Sequence, residues 1–224
     1  MNILLSGIVG STAYGLSRPG SDIDRLGIFA APTSQFHGLH RPKESIVTKA
    51  PDTTYHEAAK WCRLALSGNP TVFELVWLPD HLYEVRTRLG QALIEIRSSF
   101  LCAPRVRDAY LGYAKQQFAR IKRGKITRSI EVRKRAEKHA RHLMRLCHQG
   151  YDLYSTGRLQ VRVKDPDQYF EFGEAVAGGD VGYAEKFLDH MSSLFDSAVS
   201  PLPQCPDEGP ATDWLHAVRK EFYA

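Results

Sequence analysis

The sequence of 224 residues contains few cysteines and no long apolar run. Its cysteines are widely spaced and form no Cys-x-x-Cys pair, which argues against a zinc or redox site: Cys62, Cys102, Cys147 and Cys205. No apolar run approaches the roughly 20 residues that cross a bilayer, and no basic-then-apolar leader opens the sequence. We therefore expect a cytoplasmic protein with no membrane partner.

Positive charge is unevenly distributed along the chain. The formal net charge is +5, yet residues 105–145 hold fourteen lysines and arginines against three acids, so the remainder is slightly acidic. Such a basic stretch indicates a polyanionic partner, which is nucleic acid, the triphosphate of a nucleotide, or both. The alternative is an ordinary solvated helical face.

The order of predicted elements divides the chain in two. Strands predicted at 2–9, 23–30 and 45–50 alternate with helices at 54–67, 71–77 and 85–97, which favours a small mixed sheet with helices. Helices dominate after residue 104 and are predicted at 105–122, 129–149, 167–177, 181–197 and from Asp213, with one short strand-like piece at 159–163. We predict an α/β (mixed α+β) catalytic domain over residues 1–104 and an all-α domain that binds nucleotide or acceptor over 105–224.

One local pattern points to chemistry. The dipeptide Gly10-Ser11 follows an apolar strand, and Asp22 and Asp24 stand at the start of the next one. Residues i and i+2 of a strand point to the same face, so the two carboxylates are expected side by side. Adjacent like charges favour a divalent cation such as Mg²⁺ or Mn²⁺. The alternative is a solvated strand end or a turn after Pro19-Gly20.

These residues resemble a known signature. The segments Gly10–Gly15 and Ser21–Asp24 are similar to the motif of the DNA polymerase β-like nucleotidyltransferase superfamily. Further stretches at 27–29, 60–70 and 138–146 resemble its predicted branch associated with RNA repair. The resemblance covers about residues 3–160.

The resemblance implies a two-metal mechanism with an NTP as substrate. Three carboxylates hold two cations in that superfamily, and Asp22 and Asp24 match the first pair. We assign the third position to Asp52, because an acid stands in this branch just before the helix that here carries Lys60; Glu57 and Glu44 are the alternatives.

Other residues are expected to bind the nucleotide. Gly10 and Ser11 would hold its phosphates, and Lys60 is a further candidate cation. On the predicted helix 129–149, Lys138, His142 and Arg145 share one face by their i, i+4, i+7 spacing, opposite an apolar face.

The expected activity is transfer of an NMP from an NTP to an acceptor hydroxyl. RNA is the expected acceptor, in RNA repair or end modification, because the basic stretch suits a polyanion. Two alternatives remain: a related transferase that modifies a small molecule or a protein hydroxyl, and a non-catalytic RNA-binding or antitoxin-like protein. The sequence identifies neither the NTP nor an oligomeric state.

Overall fold

The computed structural model describes residues 1–124 and 129–223. Two basic residues of the 105–145 stretch, Lys125 and Arg128, lie outside the described residues. Contacts group the chain into two compact units. The sheet unit combines Met1–Cys102 with Cys205–Ala224, and the helical unit is Ala103–Gln204. The predicted fold class is confirmed, while the functional assignment of 1–104 and 105–224 stays a prediction.

The sheet unit is built on five strands, which are β1 (Asn2–Val9), β2 (Asp24–Ala30), β3 (Ser45–Lys49), β4 (Asp52–Glu57) and β5 (Tyr83–Arg86). Their order across the sheet is β3-β4-β2-β1-β5. The β2–β4 pair is parallel and the other three pairs are antiparallel. The C-terminal end of β1 and the N-terminal ends of β2 and β4 therefore meet at one edge of the sheet.

Strand β4 corrects the sequence-based expectation. The pattern predicts a helix over 54–67, but that segment begins as a strand and the helix starts only at Ala58. The two threonines and the tyrosine of β4 are good strand formers, and pairing with β2 satisfies their backbone. The Glu57 carboxylate then caps the helix by accepting a hydrogen bond of 2.8 Å from the Ala59 N–H. Strand β5 likewise occupies the start of a segment predicted as helical over 85–97.

Helices cover the sheet and enclose a core that includes Trp61, Phe73, Leu93 and Phe100. They are α1 (Gly10–Tyr14), α2 (Ala58–Leu66), α3 (Pro70–Val76), α4 (Arg88–Glu95) and α9 (Glu208–Glu221). The start of α3 follows from its sequence, because Asn69 caps the Thr71 N–H and Pro70 fits the first helical position. Helix α9 begins at Glu208, five residues before the predicted start.

The helical unit contains α5 (Ala103–Arg123), α6 (Ile130–Thr156), α7 (Pro166–Ala177) and α8 (Val181–Ser197). Helix α6 is one to two turns longer than predicted and ends where Gly157 adopts a φ of 70°. A close approach to α5 requires Gly150, since a Cβ there would lie 2.5 Å from Tyr110 Cβ. None of the described helices combines the length and apolar composition needed to cross a membrane.

Helix α9 belongs to the sheet unit although it is remote in sequence. The Trp214 indole N–H donates to the Leu89 carbonyl over 2.8 Å. The Thr33 N–H donates to the Phe222 carbonyl just after α9, over 2.7 Å. Helix α9 and the residue after it are thus fixed to both the 3₁₀ turn that begins at Thr33 and helix α4.

A buried ion pair adds to this attachment. The Arg219 guanidinium donates to both carboxylate oxygens of Glu57 over 2.7 and 3.0 Å. The Glu57 side chain is 3% exposed, and the ring of Phe36 covers the guanidinium with its centroid 4.1 Å from Cζ. The pair joins α9 to the point where β4 becomes α2.

Candidate active site

The Gly10-Ser11 turn lies directly against Asp24. Strand β1 ends at Val9, which pairs with Asp24, and α1 begins at the next residue. Gly10 has a φ of 69°, and a Cβ at this position would lie 2.1 Å from Asp24 Oδ2. Glycine is therefore required here on two grounds, the left-handed backbone and the contact with the carboxylate. The turn and the acid that the sequence singles out are therefore in direct contact.

Strand pairing places Asp52 beside Asp24. The parallel register joins Arg25 to Thr53, so the preceding residues, Asp24 and Asp52, begin neighbouring strands at the same level. Residues at the same level point to the same face, and adjacent strands lie about 4.8 Å apart. Asp22 precedes β2 rather than lying in it, and its side chain is exposed. The three predicted carboxylates hence occupy one sheet edge, although only Asp24 and Asp52 belong to strands.

The chemistry of this edge suits a divalent cation that arrives with a nucleotide. Among residues 1–124 and 129–223, no three His, Cys, Asp or Glu side chains form a group that could hold a metal ion. Mg²⁺ commonly binds one or two carboxylates together with substrate phosphates, and it needs no cage made only of protein ligands. Carboxylates beside a glycine turn fit that mode of binding.

Tyr14 anchors helix α1 through a buried acid. Its hydroxyl lies 2.6 Å from both Oε1 and Oε2 of Glu74 on α3, and Glu74 is only 2% exposed. From the sequence alone, no role was assigned to Glu74. A signal existed, because Glu74 is the one charged residue in the apolar run Val72–Val76, and a buried acid needs a polar partner.

Lys60 and the alternative acids lie away from this edge. Strand β4 separates Asp52 from Glu57 by five residues, or about 16 Å at the strand rise, and Lys60 follows in the first turn of α2. The Lys60 ammonium lies 3.7 Å from a carboxylate oxygen of Glu44. The Glu57 carboxylate is paired with the Arg219 guanidinium. The structure therefore does not bring Lys60, Glu44 or Glu57 to the sheet edge that carries Asp24.

The three predicted residues of α6 differ in exposure. Lys138 is exposed, His142 is half-buried, and Arg145 is 2% exposed. Of the three residues expected to share one polar face, only Lys138 is therefore fully exposed to solvent. Arg145 donates a hydrogen bond through Nη1 to the side-chain oxygen Oε1 of Gln149. Its Nη2 lies 3.4 Å from His142 Nδ1. Burial, together with the nearby Arg145 charge, lowers the pKa of His142 to about 2. The imidazole is therefore neutral and accepts from Arg145.

The basic stretch presents cations on α5 and α6. Arg120, Lys122 and Arg123 are exposed near the end of α5, and Lys122 pairs with Glu185 over 2.8 Å. The Lys122 ammonium also lies 4.8 Å from the centroid of the Phe118 ring. Exposed cations beside an aromatic ring are typical of surfaces that contact nucleic acid.

Comparison with known proteins identifies the family. No curated protein matches the chain. The profile of the RNA repair pathway DNA polymerase beta family matches residues 1–165, which include the Gly10-Ser11 turn, the three carboxylates and the whole of α6. The chain therefore belongs to the RNA repair pathway DNA polymerase beta family.

Proposed function

We propose that this protein is a metal-dependent nucleotidyltransferase that moves an NMP from an NTP to a hydroxyl group of RNA. The observation that carries the proposal is the contact between Gly10 and Asp24, where a Cβ would lie 2.1 Å from the carboxylate oxygen. It joins a turn suited to phosphate with an acid suited to a cation. Family membership and the basic stretch support the same reaction.

The sheet edge would bind the triphosphate and the reacting atoms. Ser11 and the Gly10 backbone would hold phosphate oxygens, because glycine permits a close approach of the main chain. Asp22, Asp24 and Asp52 would hold Mg²⁺ or Mn²⁺, and bound cations would supply neutralising charge for the triphosphate and the leaving pyrophosphate. The acceptor oxygen would then bond to the α-phosphorus and lose its proton to water, as the bond to the bridging oxygen breaks and pyrophosphate leaves.

The helical unit would bind the polyanion. Lys138 is the exposed member of the predicted set and is proposed to contact phosphate. Arg145 and His142 are proposed to support that surface from within α6, since their mutual hydrogen bond turns them inward. Lys60, which pairs with Glu44 away from the sheet edge, is given no contact with the nucleotide in this proposal.

Labelling identifies both substrates at once. The protein is incubated with each labelled NTP, with Mg²⁺ or Mn²⁺ and pooled RNA, and whatever becomes labelled is identified. Asp24→Asn is the test variant, and Asp213→Asn, an exposed acid on α9, is the matched control. Labelled RNA that disappears only with Asp24→Asn supports the proposal.

Other results of the same assay would overturn parts of the proposed function. Label on a small hydroxyl compound or on a protein would replace RNA as the acceptor. RNA binding without label from any NTP would indicate the non-catalytic, antitoxin-like alternative.

A further inference from the structure

Glu74 is a buried carboxylate with an identifiable task. It lies on α3 between apolar neighbours that are themselves buried, and it is 2% exposed. Burying a carboxylate is costly unless hydrogen bonds stabilise it. The Tyr14 hydroxyl lies 2.6 Å from both of its oxygens. The contact spans sixty residues of sequence and joins α3 to α1.

Helix α1 depends on such a contact for its position. It has five residues, far fewer than the roughly 12–15 needed for a marginally stable isolated helix. Tyr14 is its last residue, and the helix stops at Gly15, which has a φ of 75°. The Tyr14 hydroxyl therefore attaches the C-terminal end of α1 to the packed body of the sheet unit.

The other end of α1 carries the proposed phosphate site. Gly10 and Ser11 form its first turn, and the Leu16 N–H donates back to the Ser11 carbonyl over 2.9 Å. At a rise of about 1.5 Å per residue, Tyr14 is only some 6 Å along the axis from Gly10. A shift of Tyr14 is consequently transmitted to the Gly10-Ser11 backbone and to its contact with Asp24.

We propose that Glu74 and Tyr14 are positioning residues that hold the Gly10-Ser11 turn against Asp24 in the geometry that binds the NTP triphosphate. This inference rests on the proposed function for its kinetic consequence. It assigns the acid and the tyrosine no contact with substrate.

The test compares two tyrosine variants. Tyr14→Phe removes the hydroxyl that holds Glu74. Tyr83→Phe is the matched control, because the Tyr83 hydroxyl donates to the Leu75 carbonyl over 2.9 Å and so contacts the same helix α3 one residue away. Both variants lose one partly buried tyrosine hydrogen bond, but only Tyr14→Phe removes the hydrogen bond that joins α1 to α3. Measurements are made at a temperature where both variants remain folded.

The kinetic outcome separates positioning from general stability. Loss of a hydrogen bond to a charged group predicts that Tyr14→Phe raises KM for the NTP by about tenfold, with a smaller change in kcat. Tyr83→Phe should leave KM within about twofold of the parent. A Tyr14→Phe KM equal to that of the parent, or an equal rise in both variants, would overturn the proposal.

Hydrogen exchange tests the same inference without any activity. Faster exchange of the Leu16 amide in Tyr14→Phe than in Tyr83→Phe supports the positioning role, even if the parent transfers nothing from any NTP. In that case the proposed function alone fails. Equal exchange of this amide in the parent and both variants would overturn the positioning role.

Discussion

Replacing Arg219 with methionine is expected to destabilise the sheet unit strongly. The substitution keeps apolar contact with Phe36 but leaves the Glu57 carboxylate, 3% exposed, without its guanidinium. Removing one partner of a buried ion pair typically costs 3–5 kcal/mol. Glu57 keeps its hydrogen bond from Ala59, and Arg219 is 18% exposed, so we expect the lower end, about 3 kcal/mol. This loss corresponds to a Tm lower by roughly 6–12 °C.

Arg88→Met is the matched control for this prediction. Arg88 also bonds an acid of α9, Glu221, over 2.8 Å, but the two side chains are 83% and 45% exposed. Exposed pairs contribute about 0–1 kcal/mol, so the melting temperature should fall by no more than about 4 °C. Calorimetric melts of the three proteins measure the difference. Equal melting temperatures for Arg219→Met and Arg88→Met would refute the reasoning from burial. Combining Arg219→Met with Glu57→Leu should restore most of the lost stability, because an apolar pair then replaces the unpaired charge, less about 1 kcal/mol for the lost cap on Ala59.

Three further predictions concern the site, pH and RNA. Asp22→Asn and Asp24→Asn should each reduce NTP-dependent labelling to background while circular dichroism stays unchanged; near-parental labelling by both would contradict the metal assignment. Because the pKa of His142 is lowered to about 2, the unfolded chain binds a proton there below about pH 6.5 and the folded chain does not. Stability should thus fall by about 2 kcal/mol between pH 6.5 and 5, measured by urea unfolding, and His142→Leu should flatten this slope; parallel slopes would be inconsistent with a neutral His142. Arg120→Gln should lower the slope of log affinity for RNA against log salt by about one unit on any sequence, whereas Arg88→Gln in the sheet unit should not, and equal slopes would exclude Arg120 as a phosphate contact.

Much of the sheet unit could be predicted because its strongest signals are local. The apolar runs of β1 and β2 and the glycine turn between β1 and α1 follow from residues close in sequence. Strand β4 could not be predicted in this way, because its sequence Asp-Thr-Thr-Tyr-His-Glu is mostly polar. What decides its conformation is the parallel pairing with β2, a contact between residues about 28 apart. The same pairing sets Asp52 beside Asp24, which sequence spacing alone does not specify.

The helical unit shows a second limit of local patterns. Helical spacing correctly places Lys138, His142 and Arg145 on related positions of α6, but it does not say which of them other helices and loops cover. The hydrogen bonds of Gln149 explain why Arg145 is covered. The Gln149 side chain accepts from Arg145 and donates to the main-chain carbonyls of Gln160 and Val161. These partners come from the segment after α6, so the burial of Arg145 depends on tertiary contacts.

The attachment of α9 has a consequence for biosynthesis. The sheet unit is interrupted in sequence by the whole helical unit, residues 103–204. At about 5–20 residues per second, the ribosome needs roughly 5–20 s to make this insertion before it reaches α9. During that interval Glu57 has no guanidinium partner and the surface that Trp214 later covers is open to water and chaperones. The sheet unit can therefore be completed only after α9 has emerged, when the whole helical unit has already been synthesised.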